Sequence, residues 1–187
     1  MRLLYIRAPK TGSSTTVNWC KNSVARTDIL NFLDEEENLQ KINRAIKNNY
    51  LIFTTVRNPF TRAISQWKHM IEYGCIKETF TFEEFMTFDF KESDKFCRIH
   101  SSSLNEYLSP FLCKITKIIK MESLENELKK LETDHNLSVR KVGFYNKGQY
   151  LNSFDYKDFY TQDRINLVLN KYEDDFDAFN YSKSIDF

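Results

Sequence analysis

Apolar positions in this chain form short unbroken runs that alternate with stretches of helical spacing. Leu3 to Ala8 is an apolar run closed by Pro9, the pattern of a buried strand. From Ser14 to Arg26 the residues Val17, Cys20 and Val24 recur at spacings of three and four, which predicts a helix. Thr27 to Leu33 reads as a second strand. Asp34 to Asn49 carries acids first and bases last, as a helix dipole favours, and sets Leu39, Ile42 and Ile46 on one face. Tyr50 to Arg57 is aromatic, β-branched and nearly continuous in apolar character, as in a strand covered on both faces.

Asn58 and Pro59 then open a helix that runs to Tyr73. Thr81 with Glu84 has the spacing of a capping box. Lys95 to Leu108 mixes helix and turn, Cys113 to Met121 alternates like a strand, and Glu122 to Glu132 is helical. The tail from Asp158 to Phe179 is again mostly helical. Strand–helix alternation implies a P-loop-like three-layer α/β/α fold with a central, mostly parallel sheet. No repeat, low-complexity tract or Pro/Gly-rich linker divides it, so residues 1–187 are expected to form a single domain.

Length agrees: 187 residues suit one substantial core and are short for two. With 27 basic and 26 acidic residues the net charge is +1, so no global field favours nucleic acid or an anionic membrane. Anion binding must be local. Cys20, Cys75, Cys97 and Cys113 contain no CxxC pair and the histidines are scattered, so no metal site is expected. Cys20 and Cys113 fall in apolar-patterned stretches and read as core. A disulfide between any two cysteines stays open, although low cysteine density suits a reducing compartment. The N-terminal apolar run is too short for a signal peptide or anchor, and no later window approaches membrane-span length. A cytoplasmic protein is the expectation.

Chemistry concentrates at two strand-to-helix junctions, where parallel sheets place ligands. At the first, Gly12 permits a tight turn, and the amides of Ser13, Ser14 and Thr15 would leave a helix N-terminus. Lys10 adds a charge, and Thr11, Ser13, Ser14 and Thr15 add hydroxyls. The lysine precedes the glycine, unlike the ATP-type GxxxxGK[ST] loop. An ordinary helix cap would use the same residue types. At the second, Arg57 ends the strand, Pro59 starts the helix and Ser65 lies about two turns on. An arginine there suits bidentate phosphate binding or a surface ion pair. Together the two junctions suggest a ligand with two separated phosphate-like groups.

The stretch "PKTGSST" (Pro9 to Thr15), followed by "VRNPFTRAIS" (Val56 to Ser65), resembles sulfotransferases that use 3′-phosphoadenosine 5′-phosphosulfate (PAPS), particularly their carbohydrate branch. The resemblance implies that Lys10, Thr11, Gly12, Ser13, Ser14 and Thr15 form the 5′-phosphosulfate loop. It likewise implies that Arg57 and Ser65 bind the 3′-phosphate, with Arg62 in support. Tyr160 to Tyr181 is similar to the branch's C-terminal helix, with Tyr172, Asp175 and Phe176 as its end element. Asn146 to Gly148 is a faint counterpart of a late cofactor-binding turn.

The implied reaction moves a sulfuryl group from PAPS to a hydroxyl, by resemblance of a carbohydrate, without a metal. Relatives carry a His or Glu base between the two motifs. This chain has no histidine there, only "LDEEEN", which makes Glu35 the first candidate base, with Asp34 and Glu36 beside it. Acids at a helix start also serve simply as dipole complements. His69 and His100 are fallback bases. The aromatic stretch Gly74 to Leu108 is expected to serve the acceptor cleft or the core. Two alternatives stand beside this reading: a P-loop-type nucleotide kinase, and a PAPS- or nucleotide-binding module without catalysis. A kinase would want its lysine after the glycines and an acidic Mg²⁺ ligand, and neither is evident.

Overall fold

The computed structural model describes residues 1–23, 25–30, 35–139 and 156–185. In chain order the first elements are β1 (Arg2–Ile6), α1 (Ser13–Asn22), β2 (Arg26–Leu30), α2 (Glu35–Lys47), β3 (Leu51–Val56) and α3 (Pro59–Glu72). Next come α4 (Phe82–Thr87), α5 (Lys95–Ser101), α6 (Leu104–Leu108), β4 (Lys117–Lys120) and α7 (Leu124–Asp134). The chain closes with α8 (Tyr156–Phe159), α9 (Gln162–Lys171) and α10 (Glu173–Ala178). These residues gather into two compact units, Met1–Val56 with Pro110–Gln149, and Arg57–Ser109 with Tyr150–Phe187.

The first unit is built on a four-stranded sheet, every pair parallel, in the order β2-β1-β3-β4. From β1 the chain moves outward to β2, then returns past β1 to β3. Right-handed crossovers in opposite directions put α1 and α2 on opposite faces, which makes β1 and β3 the switch point of the sheet. On one face Leu3, Tyr5, Phe53 and Ile119 pack with Trp19 and Cys20 of α1 and with Leu124, Leu128 and Leu131 of α7. Tyr5 stacks on Phe53 at 5.0 Å between ring centroids, and Trp19 meets Phe53 edge-on. This is the α/β architecture expected from the strand–helix alternation.

Two details depart from expectation. Helix α2 turns Asn38, Ile42 and Ala45 inward, while Leu39 and Ile46 are 59% and 44% exposed. The apolar spacing counted large side chains, but close approach to a strand favours the small Ala45. Cys113 is exposed in a 3₁₀ turn, Leu112–Lys114, and not in the core. That turn precedes β4, whose pairing with β3 starts from Thr116 N–H donating to Ile52 O at 2.8 Å. The strand is therefore shorter than the alternation suggested.

The second unit is helical. Asn58 caps α3 by accepting from Phe60 N–H at 2.9 Å, with Pro59 in the first turn. The capping box of Thr81 and Glu84 starts α4 as expected. Phe60 and Ile64 of α3 meet Phe82 and Phe85 of α4 and Val168 of α9 in one core. Tyr160 donates to Phe60 O at 2.6 Å, which ties α8 to the start of α3. Most aromatics between Gly74 and Leu108 belong to this core, while Phe88 stays 48% exposed.

Below α3 runs a buried polar network. Arg62 is fully buried, 3.4 Å from Asp175, and donates to Ser102 O at 2.9 Å. Asp175 also accepts from Leu104 N–H and Asn105 N–H at 2.9 and 2.7 Å, which fixes the start of α6. Gln66 joins His100 O at 2.8 Å and receives the Tyr172 hydroxyl at 3.0 Å. Burial pushes the Asp175 carboxyl up, while Arg62 and the two amides pull it down.

A disulfide joins Cys75 to Cys97 and ties the end of α3 to α5. Their separation carries no motif, and the pairing was one of several left open above. With a sequence separation of 22 residues, its reduction is expected to lower stability by about 3 kcal/mol, read from urea unfolding with and without reductant. Among the described residues, no helix is long and apolar enough to cross a membrane.

Candidate active site

The loop between β1 and α1 leaves the sheet at the switch point. Within it Lys10 (φ 62°) and Gly12 (φ 78°) both adopt the left-handed conformation. Alternation of this kind curls a backbone so that successive amides face one concavity, a nest suited to an anion. A lysine held left-handed is uncommon and points to a functional constraint. Gly12 is the N-cap of α1 and has no side chain to occupy the first-turn amides. A Cβ on Gly12 would also sit 3.1 Å from Leu124 Cδ2 and 3.4 Å from Met121 Cγ. Gly12→Ala is therefore expected to destabilise the protein by about 1–3 kcal/mol, measurable by urea unfolding.

The loop is anchored from beneath by hydroxyls. Thr11 is fully buried and donates to Ala8 O at 2.9 Å, so its oxygen accepts from Thr55 Oγ1 at 2.7 Å. Thr55 in turn accepts from the Tyr5 hydroxyl at 2.7 Å. Burial raises the Tyr5 pKa and keeps this phenol protonated as the head of the relay. The Thr11 hydroxyl, read from sequence as an anion donor, thus faces inward and holds the loop to β1 and β3. Ser13 and Thr15 are buried at the start of α1, Ser14 is exposed, and Lys10 is half-buried. Arg7, which the sequence reading did not single out, donates from Nε to Ser13 Oγ at 3.4 Å.

Ile6 of β1 lies opposite Thr54 of β3, so β3 ends beside the strand that carries the lysine loop. Arg57 follows β3 directly and is only 6% exposed. Its Nε donates to Thr61 Oγ1 at 2.9 Å, and Thr61 donates to Asn58 O at 3.2 Å. Burial raises the pKa of Tyr156, and the positive charge of Arg57 pulls it back down. Ser65 stands one turn beyond Thr61 and is half-buried. Arg57, Thr61 and Ser65 are thus assembled at one helix start. Thr61 was legible as the residue four on from Arg57, whereas no local signal points to Tyr156. Arg62 differs from Arg57: held against Asp175, it supports the fold beneath α3.

Among the candidate bases, Glu35 and Glu36 open α2, and Asp34 lies outside the described residues. Asn146 to Gly148 lies outside them as well. His100 is buried, stacked on Phe96, with Nδ1 2.9 Å from Phe96 O. His69 lies 5.0 Å from His100 between ring centroids, with Nδ1 3.6 Å from Glu72. Both fallback bases therefore belong to an aromatic cluster of α3 and α5. Among the described residues no group of His, Cys, Asp and Glu could hold a metal ion.

A family model described as Sulfotransferase family matches residues 1–182. No curated protein and no solved structure matches the chain.

Proposed function

The chain belongs to the sulfotransferase family and is a transferase of sulfuryl groups, and from that premise we propose that PAPS is its donor and a carbohydrate hydroxyl its acceptor. The observation that carries this reading is the left-handed Lys10–Gly12 loop at the start of α1, on the strand next to the one that Arg57 closes. The residues fit the nucleotide. Lys10 and the amides of Ser13, Ser14 and Thr15 would hold the 5′-phosphosulfate, with Thr11 as anchor and Gly12 as the turn. Arg57 and Ser65 would hold the 3′-phosphate.

PAPS supplies a sulfuryl group on a good phosphate leaving group. The protein's part is positioning and charge stabilisation. Lys10 neutralises charge on the leaving phosphate, aided by the positive end of α1. Glu35, with Asp34 or Glu36 as the alternatives, takes the acceptor's proton. Incubation with radiolabelled PAPS and a panel of saccharides tests the reading, and label is expected in a saccharide. Phosphoryl transfer from ATP–Mg²⁺ would favour the kinase alternative, and nucleotide binding without any transfer would favour an inactive module.

A further inference from the structure

We propose that Thr55 is a positioning residue for the nucleotide's 5′-phosphosulfate, acting through the Thr11 hydroxyl on the backbone of the lysine loop. The proposal rests on the reading of that loop as the 5′-phosphosulfate site. Backbone pairing between β1 and β3 ends at Ile6 and Thr54, and Thr55 stands one residue beyond it. Where the ladder stops, the Thr55 side chain takes over, with Oγ1 2.7 Å from Thr11 Oγ1. Thr11 sits between Lys10 and Gly12, the two left-handed residues that curl the loop. Its side chain therefore grips the loop at the turn itself, and a shift there would move the amides on both sides.

The direction of each bond follows from the count of protons. Thr11 gives its one hydroxyl proton to Ala8 O at 2.9 Å, so it accepts from Thr55. Thr55 in turn accepts from the Tyr5 hydroxyl at 2.7 Å, which leaves its own proton for Thr11. The composition of β3 points the same way. A strand buried on both faces is apolar by default, yet Thr54 and Thr55 are both fully buried. As neighbours on a strand they face opposite sides of the sheet. Thr54 donates to Ile6 O at 2.8 Å, where the ladder already joins β1 to β3. Thr55 reaches past the ladder to the loop. It holds the anion-binding curl in place before a ligand arrives, so that binding does not bear the cost of ordering the turn.

Isothermal titration of Thr55→Val with adenosine 3′,5′-bisphosphate and with adenosine 3′-monophosphate tests this, since the two ligands differ only in the 5′-phosphate. Affinity for the bisphosphate should fall about tenfold, the scale of leaving one buried polar group unsatisfied, while affinity for the monophosphate is unchanged. Thr55→Ser keeps the hydroxyl and should restore most of the loss. Thr11→Val removes the receiving hydroxyl and should give a fall at least as large, so the test stands even where Thr55→Val does not fold. Thr54→Val removes an equally buried hydroxyl from the same strand; it should lower the urea midpoint and leave the ratio of the two affinities unchanged. An unchanged ratio in Thr55→Val or Thr11→Val, or the same fall in Thr54→Val, would overturn the role of Thr55 and leave the loop as the phosphosulfate site. A wild-type protein that binds both ligands equally would remove that reading of the loop, and this inference with it.

Discussion

Lys10→Ala is expected to lower kcat/KM by about a thousandfold, the upper range for removing one preorganised donor from a developing charge. Lys10 is the cation of a loop whose backbone is already set by Gly12 and by the buried Thr11 hydroxyl, so its loss removes charge and leaves the turn. Lys10→Gly separates charge from strain. Glycine is at ease at φ 62°, so this variant should match or exceed the wild type in thermal stability and still be inactive. Arg57→Ala should behave differently, raising KM for PAPS more than it lowers kcat. Initial rates with radiolabelled PAPS read all three. Undiminished transfer by Lys10→Ala would exclude the proposed role.

Asp175→Ala is expected to destabilise the protein by about 3–5 kcal/mol, because it strands a buried guanidinium. Arg62 is fully buried and would lose its Asp175 carboxylate while keeping its bond to Ser102 O and its contact with the Tyr172 ring. The amides of Leu104 and Asn105 would lose their acceptor at the same time. Arg62→Met with Asp175→Leu removes both charges together and should be milder than Asp175→Ala alone. Urea unfolding of the two variants and the wild type gives the comparison. If the single substitution were no worse than the double, the pair would not be the anchor of α6.

These two residues also show what could be read from the sequence. Arg62 and Asp175 belong to two distant motifs of one resemblance, and the structure places them in contact. The strands β1 and β3 were legible because a parallel strand buried on both faces is apolar almost throughout. Both candidate junctions were legible for a related reason, since they interrupt such runs with glycine, proline, lysine and arginine. The inward hydroxyl of Thr11 was not, because its partners Thr55 and Tyr5 lie on two strands and depend on register. Helix α2 misled because Ala45 counts little in an apolar pattern and much in close packing. Tyr156 and the Cys75–Cys97 pair depend on helix packing that spacing does not encode.

The most direct test of the nucleotide reading is thermal unfolding with adenosine 3′,5′-bisphosphate in the presence of a chelator, against ATP with Mg²⁺. At a hundredfold excess over Kd the bisphosphate should stabilise by about 2.7 kcal/mol, a rise in Tm of about 5–10 °C. ATP–Mg²⁺ should give no comparable shift. A shift with ATP–Mg²⁺ and none with the bisphosphate would contradict the assignment of Lys10 and Arg57 to the two ends of PAPS.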